Sequence, residues 1–229
     1  MDINIRNFWI LDIGGVEVWI TQTLINTWII MGVLILFALI VRSKLSKFEE
    51  VPNSKFQNIV ESIIEAFDKF VKDTVGDDRL MFLGNWFFAA FFFILLSNLS
   101  GLVGMRPPTA DWATAFAYAL GTFILIQIVG FKFRRWKYIK TFFEPNPVFL
   151  PLNLIGELAR PISLSFRLFG NVLAGMILIA LFYSLVPIAV QFFIPLPLHA
   201  FFDLFAGALQ TYIFIALSMT FIAATTAVD

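Results

Sequence analysis

The chain has 229 residues, 59% hydrophobic and 14% charged, with zero formal net charge and a mean hydropathy of +0.86. A soluble domain carries about a quarter charged residues, so this chain lacks the polar surface of an ordinary cytosolic enzyme, and with no net positive field it is no nucleic-acid binder. With no cysteine and one histidine, disulfides, thiolate chemistry and a histidine-rich metal cluster are excluded, and a polytopic membrane protein remains.

Residues 1–18 place Asp2, Asp12 and Glu17 beside Arg6. A secretory signal orders a basic start, an apolar run and a small-residue cleavage site, and that order is absent. The segment is expected to remain as a short polar arm.

The first apolar stretch runs over 19–41. The second and third, about 80–103 and 113–131, make up an 80–131 unit. The fourth and fifth, about 149–186 and 199–228, make up a 149–228 unit. About 20 apolar residues cross a bilayer core as a helix. FFAAFFFILL and MILIALF do not alternate as barrel strands do. The expected fold class is therefore an all-α polytopic membrane protein with five membrane-crossing helices.

Between the first two crossings, residues 54–75 carry Phe56, Val60, Ile63, Phe67, Phe70 and Val71 at helical spacing, with Glu61, Glu65 and Asp68 on the other side. Ser54-x-x-Gln57 reads as a capping box. The pattern predicts a cytoplasmic-side amphipathic helix. Two placements fit equally: on the inner membrane surface, or against a partner subunit.

Arg42, Lys44, Lys47, Lys55, Lys69, Lys72 and Arg79 lie between the first two crossings. Lys132, Arg134, Arg135, Lys137 and Lys140 follow the third, and Arg6 and Arg106 lie in the alternate segments. The positive-inside rule places 42–79 and 132–148 in the cytoplasm, the N-terminus outside and the C-terminus inside. The last two stretches exceed the hydrocarbon thickness, and no charge lies between Leu168 and Leu198 to solvate an overhang. A long, strongly tilted hairpin is the expected accommodation, with a tight outer turn at Val186–Pro197 and a bend near Pro161.

Four ionisable residues fall within or beside the last two stretches: Glu157, Arg160, Arg167 and Asp203. A charge at mid-membrane costs about 2.5–3.5 kcal/mol on insertion scales. A guanidinium does not deprotonate in a protein, so Arg167 acts only as a permanent positive charge. Arg160, Ser163, Arg167, Asn171 and Ala174 share one helical face. Asp203 and Gln210 lie seven apart, two α-helical turns along another. Arg167 paired with Asp203 as a helix lock and Arg167 in an ion path are both open at this level. Gly170, Ala174, Gly175, Ala206, Gly207 and Ala208 suit helix packing first. His199 reads as an inert interfacial residue, and Glu157–Arg160 as a local i,i+3 pair.

At these residues the chain resembles subunit a of the F-type ATP synthases. The resemblance is carried by ELARPISLSFRLFGNVLAG at 157–175, NLSGLVGMRPPTADWATAFAYAL at 98–120 and LQTYIFIALSMTFIAATT at 209–226. It implies a stator subunit, itself not an enzyme, that forms two ion half-channels against a c-ring, beside b-type peripheral stalk subunits and membrane lipid. H⁺ or Na⁺ flow would be coupled to rotation. It implies that Arg167 faces the ring carboxylates, with Asn171, Gln210, Asp203 and Ser163 on the ion path and Glu157, Arg160 and Asp111 in support. Met176 stands where several members have a carboxylate, so no relay passes through that position. No cofactor or metal is called for, no G-x-x-x-x-G-K-[ST] is present, and a bacterial plasma membrane is the expected location. The alternative is a self-contained channel or secondary transporter, which would show paired repeats with broken helices; no such pair is evident.

Overall fold

The computed structural model describes residues 7–13, 16–46, 48, 54–187 and 195–226. Strands β1 (Asn7–Ile13) and β2 (Val16–Thr21) come first. They are followed by helices α1 (Gln22–Leu45), α2 (Lys55–Val75), α3 (Gly84–Leu99), α4 (Trp112–Arg134), α5 (Trp136–Thr141) and α6 (Leu150–Leu185). A short α7 (Pro195–His199) then runs through a π-helical segment, Ala200–Ala206, into α8 (Gly207–Thr226). Five helical stretches are long and apolar enough to cross a membrane: Gln22–Leu45, Arg79–Val103, Trp112–Arg134, Pro147–Leu185 and Leu196–Thr226. The fold is an all-α polytopic membrane architecture preceded by one hairpin.

That hairpin falls on part of the segment read as a polar arm. β1 and β2 pair antiparallel, with Ile10 opposite Trp19 and Asp12 opposite Glu17. The two strands are adjacent in the chain, and the Gly14-Gly15 pair between runs rich in Ile, Val and Trp is the local sequence signal for such a hairpin. The outer turn expected at Val186–Pro197 falls mainly on residues 188–194, outside the described residues.

Local chemistry fixes the helix ends. Thr21 Oγ1 accepts from Leu24 N at 3.3 Å at the start of α1, and Asp111 Oδ1 accepts from Ala113 N at 3.2 Å at the start of α4. Each caps an orphan backbone donor. Arg42 and Lys44 close α1, and Lys132 and Arg134 close α4, where cations suit the negative end of the helix dipole. Ser54 Oγ accepts from Gln57 N at 3.1 Å, and α2 stops at Gly76, whose φ of 67° is the left-handed conformation of a helix C-terminus.

Part of the apolar stripe of α2 packs within its own chain. Phe67 meets Phe88 and Phe91 of α3 at centroid distances of 5.1 and 5.6 Å, and Phe70 stacks on Tyr212 of α8 at 5.1 Å. Ile59, Ile63 and Ile64 remain exposed on the same helix.

The core lies between α3, α4, α6 and α8, around the fully buried Phe87, Ile94, Ile126, Leu168, Phe214 and Met219. Polar side chains tie the helices together. Asn98 Nδ2 of α3 donates to Gly207 O at 3.0 Å and to Thr211 Oγ1 at 3.1 Å of α8, while its Oδ1 accepts from Thr109 Oγ1 at 2.6 Å. Within hydrocarbon such bonds keep polar groups satisfied where water is absent. Helix α6 has 36 residues, so it extends about 54 Å at 1.5 Å per residue, and it continues through the buried Pro161.

Candidate functional site

Helix α6 divides its small and polar residues between two faces. Gly175 packs inward, where an added Cβ would lie 3.2 Å from Phe202 Cβ, and Gly207 of α8 does so against Asn98 at 3.1 Å. These two serve close helix packing. Ser163, Arg167, Asn171 and Ala174 are exposed, and a Cβ at Gly156 or Gly170 would meet nothing within 4 Å. The α6 face bearing Arg167 is therefore open, polar and low in relief.

Among the described residues, no hydrogen bond or ion pair reaches the Arg167 guanidinium. The helix-lock alternative fails on this geometry, because Asp203 pairs elsewhere. Its Oδ2 lies 2.5 Å from His199 Nδ1, one turn back along the same helical segment. The other ring nitrogen of His199 lies 3.4 Å from the Tyr183 hydroxyl of α6. His199 is thus a hydrogen-bond partner of Asp203. The i,i+4 spacing of the only histidine and Asp203 was the available signal, but an interfacial histidine near a turn carries no such implication by itself.

Two clefts open on either side of Arg167 along α6. Toward the N-terminal end, a cleft of about 210 Å³ is lined by Arg160, Ser163, Arg167, Leu217 and Phe221. It shares Gly156 and Arg160 with a cavity of about 340 Å³ that reaches Tyr138, Asn153 and Glu157. Glu157 Oε1 binds Arg160 Nη1 at 2.6 Å, and the Arg160 guanidinium lies 5.4 Å from the Phe221 ring centroid, within cation–π range. At the rim, Tyr138 donates to Gln127 Oε1 at 3.0 Å. Burial first, and then the charge of Glu157, push its phenol above the ordinary value.

Toward the C-terminal end of α6, a narrow cleft is lined by Asn98, Asn171, Asp203 and Gln210, with Gly175 and Gly207 in its walls. Its volume of about 10 Å³ is roughly that of a single water position. Asn171 Nδ2 donates to Gln210 Oε1 across it at 2.6 Å. Asp203 is 8% exposed and Gln210 3%. A Cβ at Gly101 would lie 3.0 Å from the Asp203 carboxylate, so a bare backbone there leaves space for the carboxylate.

The structure brings Asn171, Asp203 and Gln210 to one cleft, and Ser163, Arg160 and Arg167 to the other. Asp111 stands apart as the cap of α4. The expected α-helical spacing from Asp203 to Gln210 is interrupted, because Asp203 sits in the π-helical segment. Such bulges recur at functional sites, and here both side chains still line the same cleft. Asn98 and Gly101 were missed: neither carries charge or periodicity, and only the meeting of α3 with the last helix gives them a place. No group of three metal-ligating side chains occurs among the described residues.

Residues 24–223 match the family described as ATP synthase A chain. The chain is 34% identical to ATP synthase subunit a of Moorella thermoacetica over 222 residues, covering 96% of each chain. It is 36% identical to ATP synthase subunit a 2 of Syntrophotalea carbinolica over 207 residues, covering 88% of this chain and 84% of the relative. It is also 34% identical to the sodium ion specific ATP synthase subunit a of Propionigenium modestum over 229 residues, covering 89% and 73%.

Proposed function

The chain belongs to the ATP synthase A chain family, and from that premise we propose that Arg167 is the fixed charge separating two ion half-channels, one in each cleft beside it. As a member, the chain is an ion-translocating subunit of the F-type ATP synthase membrane sector, a multi-pass membrane protein within a multi-subunit complex. Catalysis occurs in other subunits.

The observation that carries the proposal is the placement of Arg167. It is an exposed cation in a hydrophobic span, with no protein carboxylate upon it among the described residues and a polar cleft to either side. A c-ring carrying one carboxylate per subunit is the partner that suits this open α6 face, and b-type stalk subunits complete the stator. A deprotonated or ion-free carboxylate beside Arg167 gains a counter-charge in a poorly screened medium. An ion-loaded, neutral carboxylate gains no such pairing and passes on into lipid.

The same cation blocks a straight leak, since an ion crossing between the clefts directly would have to pass it. The drive is about 2.3 kcal/mol per charge per 100 mV. The distribution of basic residues supports a cytoplasmic side for α2 and the Glu157–Arg160 cleft and an outer side for the Asp203 cleft, in a bacterial plasma membrane.

The test is Arg167→Gln in the assembled complex in sealed vesicles. ATP synthesis driven by an ion gradient is expected to vanish while the complex still assembles. Coupled synthesis at the parental rate overturns the assignment.

A further inference from the structure

We infer that α1, α2 and α3 form a binding site for one anionic phospholipid of the cytoplasmic leaflet, with an acyl chain in the slot between the three helices and the phosphate on Arg42. The inference uses the orientation proposed above and is independent of the Arg167 assignment.

The packing of α1 sets up the site. Its buried residues, Thr23, Asn26 and Ile30, all lie toward its start, and no residue from Met31 to Leu45 is buried. The later part of the helix therefore stands off from the rest of the chain. Between it and the neighbouring helices lies a cavity of about 460 Å³, larger than either cleft beside Arg167. Leu34 and Ala38 of α1, Val60 and Ile64 of α2, and Phe88 and Phe92 of α3 form its walls. Every lining residue except Arg42 is apolar.

The shape of the slot suits a hydrocarbon chain and not a helix. On α1 the lining runs from Leu34 to Leu45, about 17 Å at 1.5 Å per residue. Half of the hydrocarbon core is about 15 Å deep, so the slot spans the depth that one acyl chain occupies. The volume over that length gives a mean cross-section of about 27 Å². An α-helix with its side chains is about 10–12 Å across and needs about 80 Å² or more. Carbon atoms pack about 4 Å apart, so a single acyl chain fits where a transmembrane helix of a stalk subunit does not.

Charge selects the headgroup. Arg42 is exposed in the last turn of α1, and among the described residues no hydrogen bond or ion pair reaches it. Lys44 Nζ lies 4.6 Å from the Phe56 ring centroid, so the end of α1 and the first turn of α2 meet at the mouth of the slot. Lys55 is exposed at that turn. Glu61, beside Val60 on α2, is held by Gln57 Nε2 at 2.8 Å. A guanidinium offers forked donors to phosphate oxygens. Three cations at one end of the slot favour a headgroup of net negative charge over a zwitterionic one, whose ammonium would sit among like charges. The acyl chain supplies the later part of α1 with apolar contact and staples it to α2 and α3.

The test uses the whole complex, stripped of native lipid by detergent exchange and offered phosphatidylglycerol or phosphatidylcholine. A phosphatidylglycerol with a photoreactive group in mid-chain should label the slot, at residues such as Phe88 and Phe92. Unmodified phosphatidylglycerol should displace it at a lower concentration than phosphatidylcholine does. Arg42→Gln should raise the phosphatidylglycerol concentration required by about five- to tenfold and leave that of phosphatidylcholine unchanged. Ala38→Phe, which puts a ring into the slot, should abolish labelling with Arg42 intact. Equal displacement by the two lipids in the parent overturns the proposal, as does labelling confined to residues outside the slot. A photo-crosslinker at Ala38 that captures a stalk subunit and no lipid overturns it too, giving the slot to a protein. These readouts are of lipid binding, so their failure leaves the Arg167 assignment standing, which Arg167→Gln reads separately.

Discussion

Asn171 of α6 donates its side-chain amide to Gln210 Oε1 of α8 at 2.6 Å, joining the two longest helical stretches one turn from Arg167. Gln210 is 3% exposed, while Asn171 lies at the edge of the open face. The bond therefore ties the buried wall of one cleft to the residue row that bears the fixed charge.

If that bond positions the Arg167 face, the two amides are not independent. Asn171→Ala and Gln210→Ala should each slow ATP-driven ion pumping. The double variant should fall short of the product of the single effects by a coupling energy within about 0.5–3 kcal/mol. Pumping rates across the cycle of four proteins supply the measurement, and strictly multiplicative effects would mean the bond has no functional weight.

Asp203→Asn keeps the size of the side chain and removes its charge. The cleft loses the one carboxylate that lines it, so ion flux is expected to slow and its dependence on outer-side pH or ion concentration to shift. Passive flux through the membrane sector, measured against outer pH, checks this. An unchanged profile would return Asp203 to a packing role.

Gly101→Ala places a methyl group 3.0 Å from the Asp203 carboxylate. The methyl must displace the carboxylate or the turn that carries it, so the variant should reproduce part of the Asp203→Asn phenotype with the carboxylate intact. Gly84→Ala is the control, since its Cβ meets nothing within 4 Å; its flux should match the parent in the same vesicle assay.

Asn98→Leu removes a buried amide that binds Thr109, Gly207 and Thr211. Each buried polar group left unpaired costs about 1–3 kcal/mol. The complex should lose thermal stability, read as a lower temperature for release of this subunit, and flux should fall as Gly207 drifts from α3.

The sequence by itself determined the membrane class, the five apolar helices and the amphipathic α2, because hydrophobic length and helical period are local quantities. The cost of burying charge singled out Arg167, and the long motif around it pointed to the family before any contact was known. Which side chains meet was decided by tertiary structure alone. Asp203 turned to His199 and not to Arg167, the stripe of α2 found α3 and α8 in its own chain, and Asn98 and Gly101 gained their places from helices distant in sequence. Pairings of this kind depend on helix rotation and on the extra residue accommodated in the π-helical turn. Both are set by packing against neighbouring helices, which a one-dimensional pattern does not encode.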